Sequence, residues 1–135
     1  MLACSMLGTS NIVAFIPTTD SQRARSFYED TLGLRFVSDD PFALVLNGNG
    51  TSIRITKLKE FTPARYTVLG WELSRIDEVV DDLSKKGVEF ERYEWIQQDE
   101  RGIWTAPGGA RIAWFKDPDG NVLSISGSIE QMDRS

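Results

Sequence analysis

Asp20-Ser21-Gln22-Arg23-Ala24-Arg25-Ser26-Phe27-Tyr28, running on to Leu32-Gly33-Leu34, is the stretch on which the fold turns. Asp20 or a neighbouring threonine is placed to cap a helix, because a short side-chain oxygen accepts from the free N–H groups of a first turn. Ala24, Phe27, Tyr28 and Leu32 recur at helical spacing and make one apolar face. Gly33 then offers a left-handed stop. Ahead of this helix, residues 11–17 read as an apolar strand closed by Pro17. Behind it, residues 34–38, 42–46 and 51–57 read as strands. Asn47-Gly48-Asn49-Gly50 is a hairpin turn between the last two.

The same order returns after an irregular linker at 61–65, which contains Pro63. Residues 68–74 read as a strand. Asp77 opens a helix that runs through Lys85, with Val80 and Leu83 facing inward, and Gly87 ends it. Strands are predicted at 88–93, 102–106, 111–116 and 122–126, with Pro107-Gly108-Gly109 and Asp117-Pro118-Asp119-Gly120-Asn121 as turns. The letters themselves echo: Leu32-Gly33-Leu34-Arg35-Phe36 against Lys86-Gly87-Val88-Glu89-Phe90. The expected fold is α+β, one domain over 11–127, made of two βαβββ modules (11–60 and 66–127). Their mixed sheets are expected to curl around a cavity, with helices outside. Residues 1–10 read as an extension and 128–135 as a polar tail.

Composition narrows the function. The 135 residues are 41% apolar, enough for a real core. A net charge of −5 offers no basic surplus for phosphates or anionic lipid, so neither nucleic acid nor membrane is an expected partner. The mildly apolar start, Met1 to Leu7, is short and lacks a basic leader, so it reads as neither signal nor span. The single cysteine, Cys4, excludes an intrachain disulfide and points to a reducing, cytoplasmic setting. No histidine occurs anywhere. The commonest ligand for zinc, iron, nickel and copper is therefore missing, and so is the usual acid–base group near neutral pH. Glu72, Glu94 and Asp99 remain as carboxylate bases that sequence does not separate from surface charge.

The opening helix motif, with Phe115-Lys116-Asp117-Pro118-Asp119-Gly120-Asn121-Val122, resembles the vicinal oxygen chelate superfamily over residues 11–127. That group includes glyoxalase I, extradiol dioxygenases, fosfomycin-resistance enzymes and bleomycin-resistance proteins. The matching residues set helix packing and turns, so they speak to fold more than to activity. Metal-dependent members place ligands at four strand positions, and motif matching puts Val13, Arg54 (or Thr56 if the register slips), Trp71 and Ser124 there. Three of these are not plausible ligands, and Ser124 alone could not hold a divalent ion. The resemblance therefore implies no metal site and no cofactor in this chain.

The same positions are candidates for a ligand pocket. Arg54, between Ile53 and Ile55, could clamp a planar anion or close a cross-strand ion pair. Trp71 could wall a planar ligand or pack in the core. Trp104 lies near the Pro107-Gly108-Gly109 rim, Trp95 borders a polar stretch at 96–101, and Trp114 could face either side; Tyr66 and Tyr93 are hydroxyl donors of lower rank. The leading expectation is a metal-independent binder of a planar or charged small molecule, acting as a homodimer like the bleomycin-resistance branch. The alternatives are a glyoxalase-like lyase or isomerase or a dioxygenase-family enzyme, and a structural or regulatory dimer whose cavity has filled in.

Overall fold

The structure, a computed structural model, describes residues 6–128. Cys4 and residues 129–135 of the tail lie outside them. The chain divides between Phe61 and Thr62 into two compact units. Of the 1–10 extension, the described part holds one short 3₁₀ turn, Leu7–Thr9.

The first unit is built as β1 (Val13–Thr18), α1 (Ser21–Arg25), β2 (Arg35–Asp39), β3 (Ala43–Gly48) and β4 (Thr51–Lys57). Asp20 caps α1 by accepting from the Arg23 N–H at 3.1 Å. The helix then widens into a π stretch, Ser26–Thr31, in which the Leu32 N–H reaches back to the Phe27 carbonyl. That shift in period leaves Ala24 and Tyr28 fully buried while Phe27 is only half-buried, its ring edge-on to Tyr28 at 5.3 Å. β1 runs parallel to β4, and the order is β1-β4-β3-β2. Ile16, Leu44, Leu46, Ile53 and Ile55 form the core of this unit. At the hairpin, Asn49 (φ 49°) and Gly50 (φ 89°) both take left-handed backbone, the shape a two-residue turn needs to match strand twist.

The second unit contains β5 (Thr67–Glu72), α2 (Ile76–Lys85), β6 (Trp104–Thr105), β7 (Ala110–Lys116) and β8 (Val122–Ser128). β5 is parallel to β8, and the order is β5-β8-β7-β6. α2 buries Ile76, Val80 and Leu83. Its side of the sheet is identified by Arg111 on β7, which donates to both carboxylate oxygens of Asp77 at 3.0 Å. Strand alternation then puts Ala113 and Phe115 on the same side, and Ile112 and Trp114 on the other.

Three expectations are corrected. The sheets do not curl around a cavity: each is an open, mixed, four-stranded sheet with two edge strands. Four strands fall well short of the roughly eight that close a small barrel. The strand expected at 88–93 is reduced to one bridge, Phe90 with Phe115, plus the Glu91 N–H on the Trp114 carbonyl. A side chain replaces the missing partner strand. Gln98 accepts from the Tyr93 N–H at 2.8 Å and donates to the carbonyls of Glu91 and Gly102 at 2.9 and 2.8 Å. The strand expected at 102–106 likewise shortens to β6. Among the described residues no helix is long and apolar enough to cross a membrane.

Two outcomes follow from these contacts. Gln98→Ala leaves the Tyr93 N–H and two carbonyls without protein partners, and should cost about 1–2 kcal/mol in urea unfolding. The Tyr93 amide should also lose protection in hydrogen exchange, whereas an unchanged amide would show that Gln98 holds nothing. For Asp77, the Arg111 hydrogen bonds hold its carboxyl below the ordinary 3.8. A lowered native value means the stabilisation is complete above 3.8 and is lost as pH falls toward and through the native value. Asp77→Asn should therefore lower stability at pH 7 by about 1–2 kcal/mol, the partial exposure of the pair being allowed for. It should also shrink the further loss on acidification, measured by unfolding at several pH values.

Candidate functional site

The side of the second sheet away from α2 carries a run of touching aromatic rings. Trp104 pairs with Ile112, and Trp114 with Ser124, so both indoles belong to the side away from α2. Their centroids are 6.1 Å apart. Tyr93 meets Trp114 edge-to-face at 5.5 Å, and Trp95 lies 4.7 Å from Tyr93. The segment after Phe90 makes this possible. Phe90 packs on Phe115, while three residues later Tyr93 packs on Trp114, whose side chain points the opposite way. The chain thus passes the edge of β7 from the helix side to the open side, and Gln98 fixes it there.

These rings line a cleft of about 250 Å³ with Arg65, Thr67 and Val122. A neighbouring cleft of about 460 Å³ shares Arg65, Tyr93, Trp95 and Val122, and adds Glu91 and Lys116. Val122 is only 4% exposed, while Trp95 is 78% exposed and forms an outer lip. Burial, with the Glu91 carboxylate adding to it, pushes the Tyr93 hydroxyl above its ordinary value. Tyr93 therefore keeps its proton at neutral pH and is available as a donor. Glu91 faces Lys116 at 3.6 Å. None of the ion pairs among the described residues uses Arg65. The arrangement suits a flat apolar body held between rings, with polar groups at the mouth.

The five residues singled out by sequence fall in different places. Trp104 lines the cleft. Ser124 shares its side of the sheet through Trp114, but its hydroxyl lies against β5: a Cβ at Gly70 would sit 2.8 Å from Ser124 Oγ. Trp71 pairs with Ile125 and stacks on Phe115 at 6.5 Å, so it packs on the α2 side, away from Trp104. Val13 and Arg54 belong to the first unit and share a face of its sheet, since Phe15 pairs with Arg54 and Val13 with Ser52. Arg54 contributes to the field that, behind the backbone N–H groups of Phe42 and Ala43, lowers the Asp40 carboxyl.

No three of His, Cys, Asp or Glu come together to hold a metal ion among the described residues. The four positions implied by the resemblance supply an isopropyl group, a guanidinium, an indole and one hydroxyl, a donor set that does not fit a divalent cation. Sequence reasoning passed over Arg65, which sat in the supposed linker, and over Gln98 as a structural group. The signal for Trp114 was its place in Arg111-Ile112-Ala113-Trp114-Phe115, where alternation separates Trp114 from Phe115 without saying which side is open.

Residues 10–125 match the family model of the Glyoxalase/Bleomycin resistance protein/Dioxygenase superfamily. The chain is 28% identical over 124 residues to the uncharacterized protein YraH of Bacillus subtilis, covering 78% of this chain and 88% of YraH. A superfamily member from Sphaerobacter thermophilus superposes with a TM-score of 0.70 at 27% identity, over 89% of this chain and 98% of that one. TnmS3, an antibiotic binding protein from Streptomyces sp. CB03234, gives a TM-score of 0.67 at 24% identity, over 89% and 96%; at that identity the likeness concerns the fold alone. With nearly the whole described chain matched, and the strand and helix order in agreement, the chain belongs to the Glyoxalase/Bleomycin resistance protein/Dioxygenase superfamily.

Proposed function

We propose that the protein is a metal-independent binder of a small planar molecule, cytoplasmic and homodimeric, with its ligand in the aromatic cleft of the second unit. The observation that carries this reading is the unbroken contact of Trp104, Trp114, Tyr93 and Trp95 around about 250 Å³ of open space. Rings that only fill a core leave no such space. Trp71, stacked on Phe115, does what core packing does. The binding activity of TnmS3 is in keeping with a sequestering role, although the argument rests on the cleft. A homodimer is supported by Phe15 (64% exposed) and Val13 (45% exposed) on one face of the first sheet, apolar area that a second copy would cover.

The wall and the donors differ in what they contribute. Indole and phenol faces supply area and stacking that tolerate many flat molecules. The Tyr93 hydroxyl, held protonated, and Thr67 at the cleft can orient such a molecule without transferring a proton. A panel of fused-ring compounds, titrated while tryptophan fluorescence is followed, should include one that quenches saturably. Trp104→Ala and Trp114→Ala should each weaken it by about tenfold or more, the scale of one buried ring contact. If folded protein shows no saturable quenching with any member, the binding reading is lost.

A further inference from the structure

We infer that the ligand of this cleft is a planar aromatic carboxylate, and that Arg65 is the residue that selects its charge; the inference rests on the aromatic-cleft reading above. The chain carries a net charge of −5, so its general field disfavours an anion. The cleft region departs from that average. Arg65 is the charged side chain that lines the aromatic cleft; the neighbouring cleft that shares it adds Lys116 and Glu91, and the clefts beside Trp104 and Tyr93 add Asp99, Glu94 and Arg92. Lys116 and Glu91 answer each other at 3.6 Å. That leaves the Arg65 guanidinium as the charge that sets the sign at the mouth of the aromatic wall, and it is the charged residue common to the aromatic cleft and the neighbour that shares it.

Three chemical arguments point the same way. A guanidinium presents two parallel N–H groups that match the two oxygens of a carboxylate, which a lysine does not. The other polar side chains at the cleft, Tyr66, Thr67 and Tyr93, carry hydroxyls that can donate to such oxygens. A cationic ring system would gain attraction from the indole faces, but its charge would then lie beside Arg65 and be repelled. A flat aromatic body on the tryptophans with its carboxylate toward Arg65 uses both the rings and the guanidinium of the site.

The test compares three naphthalenes of equal size: 2-naphthoate, neutral 2-naphthamide and cationic 2-naphthylmethylammonium, each titrated by tryptophan fluorescence. Wild-type protein should bind the naphthoate about tenfold more tightly than the amide, the cation most weakly, and added salt should weaken only the naphthoate. Arg65→Gln should abolish the preference, bringing naphthoate affinity down to that of the amide, and Arg65→Lys should restore part of it. Arg65 is exposed, so both variants should unfold like wild type, which urea titration checks. If naphthoate binds no better than the amide, or keeps its preference in Arg65→Gln, the inference is overturned while the aromatic site stands. Failure of all three to bind overturns both. Trp104→Ala separates the two, since it should weaken all three probes alike.

Discussion

Strand β7 carries two different loads on alternate residues, and the second unit is organised around that alternation. Arg111, Ala113 and Phe115 point to α2, where Arg111 meets Asp77 through two hydrogen bonds and Phe115 receives both Trp71 and Phe90. Ile112 and Trp114 point the other way. A four-stranded sheet with a single helix closes only one of its faces, so the remaining apolar face needs another cover or must stay open. A slip of one residue in β7 would exchange the two sets, burying an indole under the helix and turning the arginine out. The Arg111–Asp77 pair therefore does more for register than its modest stabilisation would suggest.

The cover on the open side is irregular chain rather than a second helix. After Phe90 the backbone leaves the sheet edge, and its polar groups are met by Gln98 and by Arg92, which donates to the carbonyls of Asp99 and Glu100. Asp99 in turn accepts from the Arg101 and Ile103 N–H groups. A loop closed by so many side-chain bonds can hold Tyr93 against Trp114 with little of the freedom loops usually have. It covers only part of the face, and the uncovered remainder is the cleft. The aromatic wall and the space beside it thus have one origin, a face too apolar to leave bare and a cover too short to close it.

The first unit has the same order of elements, though its helix starts on the Asp20 cap and α2 starts without a side-chain cap, and it builds no comparable wall among the described residues. One face of its sheet holds Val13, Phe15 and Arg54, of which Val13 and Phe15 are exposed. The helix there widens into a π stretch that brings Tyr28 fully into the core, a packing use of the aromatic pair that the opening motif supplies. The echo between the halves is one of scaffold. The chemistry differs because the loops and the exposed faces differ.

Sequence alone determined the βαβββ order, most of the elements, a helix start at or beside Asp20, the Asn47–Gly50 turn and the absence of histidine chemistry. Each depends on neighbours a few residues apart or on composition, and such information is written along the chain. It also placed Trp104, Trp114, Trp95 and Tyr93 among the candidates for contact. Tertiary structure decided which of them meet. Whether Trp71 faces a ligand or the core depends on its pairing with Ile125, 54 positions away by number, and on which face α2 covers. The predicted strand at 88–93 failed because Gln98, a side chain, took hydrogen bonds that propensity assigns to a backbone partner. The expected cavity between curled sheets gave way to a cleft on one open sheet for a related reason. Alternation names two faces from sequence, but only packing chooses which one is left uncovered.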